Sequence, residues 1–148
     1  MRSPKRAAYA SLRFGGEGLD PSDITRLLVL PPSRSHRKGD LRITRTSKGR
    51  VRTYSPYSQG LWSMWSEGWV CGANLGTHVA WILDQLEDKR AEVAKILARG
   101  VEGDIFCYWV ADHEPNIPRK IRERADSFGL EIGVDHYSLT LGDEEGDA

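Results

Sequence analysis

NLGTHVAWILDQLEDKRAEVAKILARG, residues 74–100, keeps helical spacing at Leu75, Val79, Ile82, Leu83, Leu86, Val93, Ile96 and Leu97. Asp84, Glu87, Asp88, Lys89, Glu92 and Lys95 fill the opposite side, so one stripe packs and the other is wet. Asn74 is placed to cap the helix and Gly100 to close it. The apolar stripe skips a turn near Asp88, where a break is expected. Strand patterns flank this helix on both sides. Leu61-Trp62-Ser63-Met64-Trp65 precedes it, and Ile105 to Val110 follows as an apolar and aromatic run that reads as a central strand buried on both faces or nearly so.

Working outward toward the N-terminus, residues 7–14 alternate Ala8, Ala10, Leu12 and Phe14 with Tyr9, Ser11 and Arg13, the period of a half-buried strand. Gly15, Gly16 and Gly18 then read as a loop. Asp20-Pro21 opens a second helix, because an Asp side chain accepts from first-turn amides and Pro fits the first helical position. Ile24, Leu27 and Leu28 are its stripe, and Pro31-Pro32 are expected to stop it. Toward the C-terminus, a third helix is expected over residues 118–128 and a last strand over 130–139, followed by an acidic tail at 142–148. This order predicts a single α+β domain, core about 7–139, with a mostly antiparallel sheet and helices on one face. A ferredoxin-like plait is the expected version.

At 148 residues with 39% hydrophobic and 28% charged content, the composition is that of an ordinary folded protein. No apolar run approaches the roughly 20 residues of a membrane span, and none marks a secretory leader. A cytoplasmic location without membrane contact is the expectation. Cys71 and Cys107 lie in apolar contexts and read as two reduced thiols, with a single buried disulfide between them as the alternative.

The formal charge sums to zero, yet residues 1–60 hold 13 Lys/Arg against 4 Asp/Glu, and residues 61–148 hold 8 against 17. The halves thus carry +9 and −9. Between Arg34 and Arg52 eight cations face one acid, Asp40. Residues 33–60 therefore read as a basic exposed loop or irregular hairpin, with Leu41 to Thr46 as an edge strand. Arg34, Ser35, Arg37, Lys38 and Asp40 offer guanidinium forks, a hydroxyl and a point charge to an anion, although the spacing is not that of a phosphate loop. Trp62, Trp65 and Trp69 fall within eight residues, and alternation sends Trp62 and Trp65 to opposite faces.

These features predict a non-enzymatic binding domain that recognises an acidic protein surface or a small anionic ligand through Arg34, Ser35, Arg37, Lys38, Asp40, Trp62, Trp65 and Trp69. One alternative is a small enzyme on a phosphate- or carboxylate-bearing substrate, with His36, His78 or His136 as acid-base group. Another is nucleic-acid binding, with Tyr54 and Tyr57 as stacking faces. Opposite charges also allow a homodimer. No cofactor is expected. Metal binding through Cys71, His78, Cys107 and His113 is disfavoured, because the gaps between Cys71 and His78 and between Cys107 and His113 match no compact zinc pattern.

In ordered succession, Asp20-Pro21, Ile24-Thr25-Arg26-Leu27-Leu28, Pro32-Ser33-Arg34-Ser35, Lys38-Gly39-Asp40, Trp62, Trp69, the Leu75 and His78 helix start and the Ile132 to Tyr137 strand resemble a bacterial family called domain of unknown function 4279. The resemblance covers about residues 7–139. It implies a small cytosolic α+β domain and transfers no reaction or catalytic residue. A toxin-immunity role is an analogy from size and context alone.

Overall fold

The structure is a computed structural model and describes residues 8–138. Strands β1 (Ala8–Gly16), β2 (Arg34–His36), β3 (Arg42–Arg45), β4 (Val51–Tyr54), β5 (Gly60–Trp65), β6 (Glu102–Val110) and β7 (Glu131–Tyr137) alternate with helices α1 (Pro21–Leu28), α2 (Leu75–Leu86), α3 (Arg90–Ala98) and α4 (Arg119–Ser127). Five strands form one sheet in the order β2-β5-β1-β6-β7, and β3 with β4 forms a separate ribbon. All pairs in the five-stranded sheet are antiparallel except β6 with β7, which are parallel. The chain is therefore α+β. The order also corrects the expected plait: β6, α4 and β7 make a parallel βαβ unit that a wholly antiparallel plait does not contain.

Strand β1 lies at the centre, pairing with β5 on one side and β6 on the other. Its Ala8, Ala10, Leu12 and Phe14 are buried in the same core as Trp62 and Met64 of β5 and Ile105, Cys107 and Trp109 of β6. The two alanines leave room for α2, which buries Leu75, Val79, Ile82, Leu83 and Leu86. Each such aliphatic side chain contributes about 1.5–3 kcal/mol when withdrawn from water. The opposite face of the sheet carries half-buried Tyr9, Arg13, Phe106 and Tyr108. Strand β6 thus alternates between buried and half-buried residues, because among the described residues no helix covers its second side.

Helix α1 starts as expected: the Asp20 carboxylate accepts from the Ser22 N–H at 3.0 Å, with Pro21 in the first turn. It ends earlier than Pro31 requires. Val29 adopts φ 55° and its N–H closes on the Thr25 carbonyl, so the helix stops in a left-handed cap. The long helix breaks where the stripe skips, with a single 3-10 turn at Glu87–Lys89. There Glu87 accepts from Arg90 and Arg124, which hold its carboxyl down to about 2 and join the turn to α4. Gly15 and Gly16 continue β1 as paired residues; they do not open a loop. The acidic tail expected at 142–148 lies outside the described residues. Among those described, no helix is long and apolar enough to cross a membrane.

Gly60 marks the place where the chain re-enters the sheet. A Cβ there would lie 2.4 Å from the backbone oxygen of Leu19, so the loop after β1 passes directly over it. Gly60→Ala must displace backbone and is expected to lower unfolding stability by about 1–3 kcal/mol in denaturant titrations. Unchanged stability would contradict this close approach.

A candidate binding site on a cationic ribbon

The residues between β2 and β5 leave the sheet and return as a two-stranded ribbon. In β3 and β4, Arg42 faces Tyr54, Ile43 faces Thr53, Thr44 faces Arg52 and Arg45 faces Val51. Side chains alternate across a strand, so Arg42, Thr44, Arg52 and Tyr54 share one side. Ile43, Arg45, Val51 and Thr53 share the other. At the tip the Thr46 N–H donates to the Arg50 carbonyl at 2.7 Å, while Gly49 takes the left-handed conformation at φ 80°.

An isolated ribbon of this length is marginal in water, and its base is tied at Tyr57. The Gly39 N–H donates to the Tyr57 carbonyl at 2.8 Å, and the Tyr57 N–H donates to the Asp40 carbonyl at 3.1 Å. The Tyr57 ring stacks on His36 with centroids 3.4 Å apart, its hydroxyl accepts from Arg34 at 3.1 Å, and the Arg42 guanidinium lies 5.1 Å from its centroid. Tyr57 thus joins β2 to the ribbon.

The expected site residues do not form one patch. Asp40 is occupied in the turn, where its carboxylate accepts from the Arg37 N–H at 2.8 Å. Arg37 pairs with Asp20 at 3.0 Å and Lys38 with Glu17 at 2.5 Å, all with exposed side chains. The Lys38 hydrogen bond holds Glu17 below its ordinary range. Hydrogen bonds from Ser22 do the same for Asp20, with Arg37 adding to them. Ser35 is exposed on β2 opposite Trp62. By contrast Arg45, Lys48, Arg50 and Arg52 make no ion pair among the described residues.

The indoles separate further. Trp62 is 0% exposed and its Nε1–H donates to Thr25 Oγ1 at 3.0 Å, so it belongs to the core and offers nothing to a surface ligand. Trp65 is half-buried at the far end of β5, about 17 Å along the strand from the ribbon's return at Gly60. Trp69 is 71% exposed and stacks on Trp81 of α2 at 6.1 Å. The aromatic groups beside the cations are Tyr54 and Tyr57.

His78 and His136 are engaged in structure. His78 is buried, with Nδ1 2.7 Å from Ser66 Oγ and Nε2 2.9 Å from the Gly72 carbonyl. A carbonyl only accepts, so Nε2 carries the proton and Nδ1 takes the Ser66 hydroxyl hydrogen. Ser66 Oγ in turn accepts from the Ala10 N–H at 2.9 Å, tying the loop after β5 to β1. His136 donates from Nε2 to the Ala111 carbonyl at 2.8 Å. A cleft of about 660 Å³ at the sheet end is lined by Arg13, Gln59, Glu102, Asp104 and Glu131. Among the described residues its lining holds no histidine and one cation, Arg13, which is closed by a two-pronged contact with Asp104 at 2.8 and 2.6 Å. Such a cleft repels anions. Cys71 is exposed and Cys107 buried, neither in a disulfide, and burial pushes the Cys107 thiol up to about 12. Among the described residues no three His, Cys, Asp or Glu side chains are grouped to hold a metal ion.

A family model described as Domain of unknown function (DUF4279) matches residues 6–139. The chain belongs to this family. No curated protein and no solved structure matches it. The DUF4279 match spans every described element, ribbon included. Sequence reasoning missed Ile43 and Val51 as exposed apolar residues of the ribbon, although their alternation with Arg42, Thr44 and Arg52 was a readable period-two signal.

His36 makes the ribbon base sensitive to acid. Burial, and then the Arg34 charge, lower its pKa from the ordinary 6.5, against a weaker opposite pull from Asp40. The unfolded chain therefore binds the proton more readily, and the stabilisation is fully present above about pH 6.5 and lost as pH falls below it. His36→Phe keeps a ring against Tyr57 without a titrating group. Its thermal stability is expected to fall less than that of the parent between neutral pH and about pH 5. Identical profiles would show that His36 does not couple to the base.

Proposed function

We propose that this protein is a non-enzymatic binding domain whose ribbon recognises an acidic protein surface. One observation carries the reading: the free side of the ribbon displays Ile43 and Val51, each 53% exposed, beside Arg45 and below Lys48 and Arg50 at the tip, with no carboxylate of the described chain against them. Unpaired cations attract and orient an acidic partner, and the aliphatic groups lose water on contact. Arg34, Arg37 and Lys38 contribute at the base by exchanging exposed partners, since surface pairs of this kind are held loosely. A small anionic ligand is served less well, because a projecting ribbon has no concave wall to enclose it.

Nucleic-acid binding is the second reading, favoured by the fact that a two-stranded ribbon fits a major groove. The exposed Ile43, Val51 and Leu41 favour protein instead. The enzyme reading draws less support, because among the described residues the clefts at His113 and at His136 are lined by no Lys or Arg. Cytoplasmic location and a role as partner of a toxin are further forms of the binding proposal; they rest on the family resemblance and on analogy.

The test uses three probes of equal charge: an acidic peptide with interspersed leucines, polyglutamate, and a labelled oligonucleotide duplex. The leucine-bearing peptide is expected to bind most tightly. Replacing Arg45, Lys48, Arg50 and Arg52 by Gln is expected to weaken it by roughly tenfold or more and to leave stability within about 1 kcal/mol. Preference for the duplex would establish the second reading. Full-strength peptide binding by the folded variant would overturn the proposal.

A further inference from the structure

The two edges of the five-stranded sheet are treated differently. Strand β2 is only three residues long, carries Arg34, and runs straight into the ribbon base, so little backbone is open beside it. Strand β7 offers seven residues without proline or lysine, and among the described residues its one strand neighbour is β6. The Ala111 N–H donates to the Tyr137 carbonyl at 3.0 Å, which fixes the side to which Tyr137 turns its backbone groups. Backbone groups alternate along a strand. Ile132, Val134 and His136 therefore direct their N–H and C=O groups away from β6, toward the open edge.

We infer that β7 is the interface for a second copy of this chain, pairing antiparallel about a two-fold axis through Val134. Outward-directed residues must face one another, which limits the register. With the axis at Val134, Val134 meets its own counterpart and Ile132 meets His136, so every outward N–H finds an outward C=O. On the helix-free face, Glu131 then lies opposite Tyr137, and Asp135 opposite Gly133. Sliding the register one step in one direction sets Glu131 against Asp135; one step in the other sets Asp135 against itself. Like charges directly opposite destabilise a strand pair, so charge selects the register that also gives the full seven-residue overlap. Val134 is 36% exposed, and it is covered by its counterpart on pairing. The product is a ten-stranded sheet with an isologous contact. Its two cationic ribbons lie at the outer edges, so the interface leaves them free.

Gly133 provides a test by charge. It is exposed, and a Cβ added there meets only Phe106 Cδ1, at 4.0 Å, so larger side chains fit without moving the strand. In the inferred register Gly133→Lys faces Asp135 of the partner twice per dimer, and Gly133→Glu creates the same contact with repulsion. Sedimentation equilibrium of the full chain over a wide concentration range is expected to show a reversible dimer. The Lys variant should tighten it and the Glu variant weaken it, each by roughly 2-fold to 30-fold, from two cross-strand pairs. Val134→Pro removes the outward N–H at the axis, a change an edge strand tolerates, and should weaken the dimer roughly tenfold or more. A monomer at every concentration would overturn the inference. So would a dimer whose dissociation constant is the same in the Lys and Glu variants, since its contact would then lie elsewhere.

Discussion

Between Arg34 and Arg52 the chain supplies one carboxylate, Asp40, and the fold commits it to a turn through the Arg37 N–H. That scarcity governs the exposed half of the molecule. Arg37 and Lys38 reach Asp20 and Glu17 because the base of the ribbon lies against the loop after β1. The residues beyond the base project away from the sheet and meet no acid among the described residues. The same projection leaves Ile43 and Val51 in water. A cationic, partly apolar surface is thus the consequence of where the chain leaves the core, and Tyr57 keeps it in a fixed relation to β2.

The core answers to a different constraint, the central position of β1. Pairing with both β5 and β6 brings Leu12 and Phe14 together with Trp62 and Ile105 under α2. The small Ala8 and Ala10 let the helix approach, and the chain from Ala10 through Ser66 to His78 and Gly72 fastens the loop after β5 against the same strand. His78 here connects backbone groups, reaching Gly72 directly and Ala10 through Ser66. The acidic character of the second half is used in similar fashion. Asp104 closes on Arg13, and Asp84 with Glu87 closes on Arg124, which removes those carboxylates from the surface balance.

Much of the core was legible because it depends on local periodicity. The Asp20-Pro21 helix start, the break near Asp88 and the alternation of residues 8–14 need only neighbours in sequence. The left-handed cap at Val29 was not legible, since a β-branched residue rarely takes that conformation and Pro31-Pro32 gave a nearer signal. Alternation correctly separated Trp62 from Trp65 but could not say which faced the core; that followed from the side on which α1 brings Thr25 to the indole. The candidate site was legible as charge and not as geometry. The pairs Arg37 with Asp20 and Lys38 with Glu17 join residues 17 and 21 positions apart across two loops, and no spacing rule announces them. The parallel β6 and β7 pair was equally hidden, because a strand, helix, strand run reads the same until the crossover is seen.

Among the described residues the ribbon's cations meet no carboxylate, and the sign of a stability change tests most directly whether they are uncompensated in the folded protein. Thermal unfolding of the parent is compared with that of a variant carrying Gln at positions 45, 48, 50 and 52, at low and at high salt. If the cations only repel one another, the neutral variant is as stable as the parent or slightly more so at low salt, and the difference closes as salt screens it. A variant clearly less stable at low salt, approaching the parent as salt rises, would mean that the protein's own carboxylates already hold these side chains and that the ribbon is not a free cationic surface.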